Sequence, residues 1–172
     1  MVDTTKAEEQ VKEYYFKQQK IEQLEYTLKG LYRRKEELTE RIDKSRIKLE
    51  DDFSAVNYDG VGGSGSVTSP QDRAIEKAFR RLEKSFEDTV GTIIEVEEEI
   101  SYLRQNNREI EYIINGMKQE YRKILEGFYK YNKTTLQMTF DLNMDKATIY
   151  RKKNKSLEDI QRWLQFNEIG YC

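Results

Sequence analysis

A single proline, Pro70, stands in 172 residues, and on either side of it apolar residues recur at helical steps of three, four or seven. Upstream the series is Tyr14, Ile21, Leu24, Leu28, Leu31, Leu38, Ile42 and Leu49, with Lys17, Lys35 and Ser45 filling the gaps. Downstream it is Ile75, Ala78, Leu82, Phe86, Val90, Ile93, Ile100, Leu103, Ile110 and Ile113. Lys, Arg, Glu and Gln take most of the places between. Such a period keeps one narrow apolar seam along a helix, and neither run contains the residue that would break its hydrogen-bond ladder. The two stretches, Thr5–Asp51 and Pro70–Gly116, are 47 residues each. At about 1.5 Å of rise per residue each would be about 70 Å long.

The ends of these stretches carry matching signals. Thr5 followed by Glu8 fits a capping box. Ser69, Pro70 and Asp72 suit the cap, first and third positions of a helix. Asn115-Gly116 offers a stop. Between the two runs, residues 52–69 hold four of the nine glycines and form a flexible Gly/Ser connector. Equal helices joined this way predict an antiparallel coiled-coil hairpin over residues 1–116. So thin a hairpin buries little surface, which predicts a homodimer through the coiled coil.

Inside the connector, Gly60-Val61-Gly62-Gly63-Ser64-Gly65 has the G-x-G-x-x-G spacing that cradles nucleotide phosphates elsewhere. That motif needs a buried strand before it, and here Lys48-Leu49-Glu50-Asp51-Asp52-Phe53 ends an amphipathic helix. A phosphate loop of the lysine-bearing kind fails as well, because Ser66 follows Gly65 where the lysine belongs. Asp141, Asn143 and Asp145 open a calcium-loop pattern, but Lys146 and Lys152 occupy the positions that require Gly and Glu. No metal site and no cofactor are expected.

Composition narrows the function further. Mean hydropathy is −0.92 and 36% of residues are charged. Histidine is absent and the only cysteine is Cys172. Catalysis through histidine and Cys/His zinc binding are thereby excluded, and no catalytic residue is assigned; an enzyme is not expected. No apolar run approaches the ~20 residues of a membrane span, and the polar start MVDTTKAEEQ does not read as a signal peptide, so a cytoplasmic protein is expected. Charge is uneven: residues 1–116 carry 19 Lys+Arg against 25 Asp+Glu, and residues 117–172 carry 11 against 7. A basic C-terminal third points to a polyanion.

From residue 117 the pattern shortens. Gln119–Tyr131 places Tyr121, Ile124, Leu125 and Phe128 on one helical face. Thr134 or Thr135 can cap a helix with Leu136, Met138, Thr139 and Leu142, and Asn143-Met144 reads as a turn, with Asn143 tolerating left-handed geometry. Asp145 then caps a helix that begins at Lys146. A helix of about eight residues, a short turn and a longer helix predict a helix-turn-helix DNA-binding domain over residues 117–172. Ile149, Leu157, Ile160 and Leu164 or Trp163 would face its core. Lys146, Thr148, Tyr150 and Arg151 would meet base edges, and Lys152, Lys153 and Lys155 would meet phosphates.

The run Asp145–Arg151, followed by Ser156–Ile160, resembles the recognition helix of sigma-factor region 4. More narrowly, the chain resembles phage-encoded late-gene activators of the RinA and ArpU type, which join a helical N-terminal part to such a domain. Tyr58-Asp59-Gly60 and the later Ser69-Pro70 are similar to a segment of those proteins. Lys152, Thr139 and Phe140 depart from the family pattern, which usually has an apolar residue, a small one and a polar one there. Phe140 is therefore also a candidate partner-binding position. The resemblance implies a transcriptional regulator that binds double-stranded promoter DNA and works with host RNA polymerase. A small terminase subunit-like packaging protein and a structural coiled-coil adaptor are the alternatives.

Overall fold

The computed structural model describes residues 4–54 and 70–169, with side chains described over 4–47 and 73–166. All regular secondary structure among the described residues is helical. The elements are α1 (Thr5–Ser54), α2 (Pro70–Gly116), α3 (Gln119–Leu125) running into a π-turn (Glu126–Lys130), α4 (Thr135–Leu142) and α5 (Lys146–Ile169). No helix among the described residues is long and apolar enough to cross a membrane. Tyr58, Asp59, most of the glycine-rich connector and the Ser69 cap lie outside the described residues.

Helix bounds follow the sequence signals with small shifts. Glu8 N–H donates to the Thr4 carbonyl at 2.9 Å, so Thr5 is the first helical residue rather than the cap. At the other end α1 runs on to Ser54, three residues past the expected stop at Asp51. Pro70 opens α2 and Gly116 closes it, as expected. Lys118, at φ −57° and ψ 143°, breaks the chain before α3.

The expected plain helix over 119–131 is corrected in its last turn. Tyr131 N–H donates to Glu126 O at 3.0 Å, five residues back, and the turn winds as a π-helix. Its residue Gly127 is buried against α4, where an added Cβ would sit 2.8 Å from Met138 Cε and 2.9 Å from its sulfur. The close approach of this turn to Met138 is what calls for glycine here.

The described chain forms two compact units. One comprises residues up to Leu24 and from Ile100 onward; the other is Glu25–Glu99. In the first unit a single core joins Ala7, Val11, Tyr14 and Tyr15 of α1 with Ile110 and Ile114 of α2, Leu125 of α3, and Leu157, Ile160 and Leu164 of α5. Two of its buried polar side chains are matched across elements, while the Tyr15 hydroxyl is buried without a hydrogen-bond partner among the described residues. Gln161 Oε1 accepts from Ala7 N–H at 3.1 Å, and Asn107 Nδ2 donates to Tyr14 O at 3.4 Å. Gln19 Nε2 donates to Lys130 O at 2.7 Å, and Lys130 Nζ meets Glu22 at 2.7 Å. A smaller cluster of Ile124, Met138 and Ile149, flanked by Phe128, Leu142 and Met144, packs α3 and its π-turn against α4 and α5.

In the second unit Leu38 of α1 and Ile93 and Thr89 of α2 are buried. Tyr32 hydroxyl donates to Glu97 at 2.5 Å and Arg34 to Ser85 Oγ at 3.3 Å. The seam is not uniform. Ile75 is 44% exposed and Ala78 is exposed, whereas the sequence places both in the seam. Near the end of α2 the buried position is Ile114 at 3% exposure, with its neighbour Ile113 only partly buried. The reason is local: there α2 packs on α3 and α5 residues as well as on α1, so burial no longer follows a two-helix period.

Candidate nucleic-acid interface

Helix α4 begins on a reciprocal cap. Thr134 Oγ1 accepts from Gln137 N–H at 3.3 Å while the Gln137 side chain accepts from Thr134 N–H at 2.8 Å. The helix ends at Asn143, which is left-handed at φ 50° and ψ 47° and donates its N–H to Thr139 O. A short polar side chain tolerates that region better than most. Met144 packs against the Ile124–Met138–Ile149 cluster, and Asp145 starts α5. Its carboxylate accepts from Thr148 N–H at 2.8 Å and from Thr148 Oγ1 at 2.7 Å. Those two bonds hold the Asp145 carboxyl below its ordinary value.

That shift fixes a sign. A carboxyl with a depressed folded pKa stabilises the fold above its unfolded pKa and loses that contribution as pH falls through the folded one. Replacing Asp145 by Ala should therefore lower the thermal midpoint at neutral pH. The gap to the wild type should begin to close as pH falls below about 4, the ordinary Asp value, and vanish once pH has fallen through the lowered folded value. Thermal melts of both proteins across pH check this; a gap that persists in acid would contradict it.

The seven residues assigned to nucleic acid fall into three groups. Lys146, Arg151 and Lys155 are exposed, and Tyr150 is 42% exposed. Ala147, Arg151, Asn154 and Lys155 form the outer side of α5, away from the buried Ile149, Leu157 and Ile160, while Lys146 and Tyr150 are exposed in its first turns, where α5 begins. The Tyr150 hydroxyl accepts from Thr135 Oγ1 at 3.0 Å, and its ring lies 6.2 Å from that of Phe128, which ties α5 to the start of α4. Thr148 spends its hydroxyl on the Asp145 cap.

Lys152 and Lys153 turn inward. Lys152 pairs with Glu120 of α3 and lies 5.9 Å from the Tyr121 ring centre. Its aliphatic stem is thus partly buried, while its charge finds a carboxylate. Lys153, with its side chain 17% exposed, sits 5.0 Å from the Phe128 ring centre, 5.1 Å from that of Tyr129, and 3.4 Å from Glu8. Tyr129 hydroxyl donates to Glu8 at 2.9 Å. Burial pushes the Glu8 carboxyl up, but the Tyr129 hydroxyl and the Lys153 and Lys12 ammoniums outweigh it and the net shift is downward. Glu8 and Tyr129 are 121 residues apart, so no local pattern announces the pair.

Leu136 and Phe140, 66% and 78% exposed, stand four residues apart on α4. Among the described residues no group of three or more His, Cys, Asp or Glu is placed to hold a metal ion. No family model, curated protein or solved structure matches the chain.

Proposed function

We propose that this protein is a DNA-binding transcriptional regulator of the phage late-gene type. In this proposal α4, the turn Asn143–Asp145 and α5 act as a helix-turn-helix, and α1 and α2 form an antiparallel hairpin that joins two copies. The observation that carries it is the exposed start of α5: Lys146, Tyr150, Arg151 and Lys155 are all exposed on a helix preceded by a three-residue turn. A helix so presented fits the major groove, with its first turns against base edges. Arg151 supplies the planar fork suited to guanine, Lys146 and Tyr150 neighbouring contacts to base edges, and Lys155 the charge for a phosphate.

Support for the hairpin comes from the second unit, where the partners of Tyr32 and Arg34 step backward along α2, from Glu97 to Ser85. Contact with host RNA polymerase belongs to the same proposal, and Leu136 and Phe140 supply an exposed apolar surface for it. Genome-wide crosslinking in the host tests the function. Enrichment at promoters of late genes is expected. Enrichment at a single packaging site would favour the terminase-like alternative, and no enrichment would favour the adaptor.

A further inference from the structure

The outer face of α2 is mainly basic over residues 73–84 and acidic beyond them. Arg73, Lys77, Arg80, Arg81 and Lys84 follow steps of four, three, one and three, so they share one helical face, and all five are exposed. Leu82, Phe86, Thr89 and Ile93 occupy the other side and are buried or partly buried. Past Lys84 the same outer face carries Glu87, Asp88, Glu95, Glu98 and Glu99, of which the first four are exposed. No cation interrupts residues 85–103.

These charges are arranged symmetrically about residue 86. Arg73 and Glu99, Lys77 and Glu95, and Lys84 and Asp88 are each equidistant from it. Arg81 is matched in the same way with Gly91, and Arg80 with Thr92. Gly91 is exposed, and a Cβ added there would meet nothing within 4 Å. Nothing within the chain therefore calls for glycine, although mid-helix glycine weakens a helix relative to alanine. A second helix lying close across this face would use that gap for the Arg81 side chain.

We propose that residues 73–99 of α2 pair antiparallel with the same residues of a second copy, about a two-fold axis beside residue 86. Such a contact is isologous, so each matched pair forms twice. It cannot form within one chain, because Lys77 and Glu95 are about 27 Å apart along a single helix. The Arg80–Glu76 ion pair, at 2.6 Å, is exposed and leaves the other four cations for the partner. A nucleic acid could take up the basic half, but the carboxylates that continue the same face would repel a duplex extending along it. Only a partner of opposite and equally divided charge matches both halves. This inference rests on the dimer of the proposed function and specifies its face and register.

Charge exchange in the full-length protein tests it. Sedimentation equilibrium at low salt should show a wild-type dimer that weakens as salt rises. Lys77→Glu and Glu95→Lys should each raise its dissociation constant about tenfold, since each creates two like-charge contacts. The double substitution Lys77→Glu/Glu95→Lys should restore the dimer. An equimolar mixture of the two single variants should form a heterodimer, with both contacts attractive. Circular dichroism checks that all variants keep their helix content. A wild type that stays monomeric at every concentration would overturn both the dimer and this register. A dimer indifferent to the single changes, or not rescued by the double, would overturn the register alone. Loss of DNA affinity in Lys77→Glu with the oligomeric state unchanged would make the basic half a phosphate contact and overturn the pairing.

Discussion

Residues 117–172 expressed alone should show no cooperative thermal transition, whereas the full chain should melt cooperatively in the same buffer. The sequence marks 117 as a domain start because the helix period changes there and Gly116 ends α2. The core does not respect that point. Val11 is fully buried and Tyr14 and Tyr15 are 8% and 3% exposed, in one cluster with Leu125, Leu157, Ile160 and Leu164. Burying an apolar side chain of this size contributes about 1.5–3 kcal/mol. Removing Val11, Tyr14, Tyr15, Ile110 and Ile114 together therefore takes away several kcal/mol, comparable with the roughly 5–15 kcal/mol that holds a domain folded. It also exposes the α3 and α5 residues they covered. Calorimetry or far-UV circular dichroism on the fragment decides the matter. A sharp transition like that of the full chain would show that the C-terminal helices fold without α1.

The long helices were legible because their information is periodic and local. The spacing from Tyr14 to Leu49 and from Ile75 to Ile113, and the proline at position 70, need no knowledge of the tertiary fold. The caps of the short helices were equally open. Thr134, Asn143 and Asp145 perform at their own positions the jobs their side chains suggest. Features made by distant partners were closed to the sequence. The π-turn depends on Gly127 meeting Met138, and the burial of Ala7, Val11 and Tyr15 depends on helices more than a hundred residues later.

The candidate site shows the same division. Four cations in the run 151–155 look alike in the sequence, and a basic run beside a turn reads as one phosphate-binding patch. In the fold they part, because a helix turns neighbouring residues to different sides. Arg151 and Lys155 face outward, while Lys152 and Lys153 meet Glu120 and Glu8. Neither acidic partner lies near them in sequence, so nothing local separates the two kinds of lysine.

This separation sets the second large effect. Arg151→Ala should weaken binding to a cognate duplex by about 1–3 kcal/mol if its fork meets a base, and leave the melting temperature nearly unchanged. Lys153→Ala should do the reverse. It removes a cation packed on Phe128 and Tyr129 and paired with Glu8, at a cost of about 1–2 kcal/mol in stability, with little change in DNA affinity. Equal losses of affinity in both variants would contradict the inward placement of Lys153.

The most direct measurement is the affinity of the full-length protein for a duplex selected from a random pool, titrated over a range of salt concentrations. Binding should fall steeply, with log K linear in log salt. Lys155→Ala should reduce the slope by about one for its lost phosphate contact, and Arg151→Ala should weaken binding at every salt concentration. Failure to enrich any duplex, or an affinity that neither salt nor Arg151→Ala changes, would contradict a DNA-binding role for the outer face of α5.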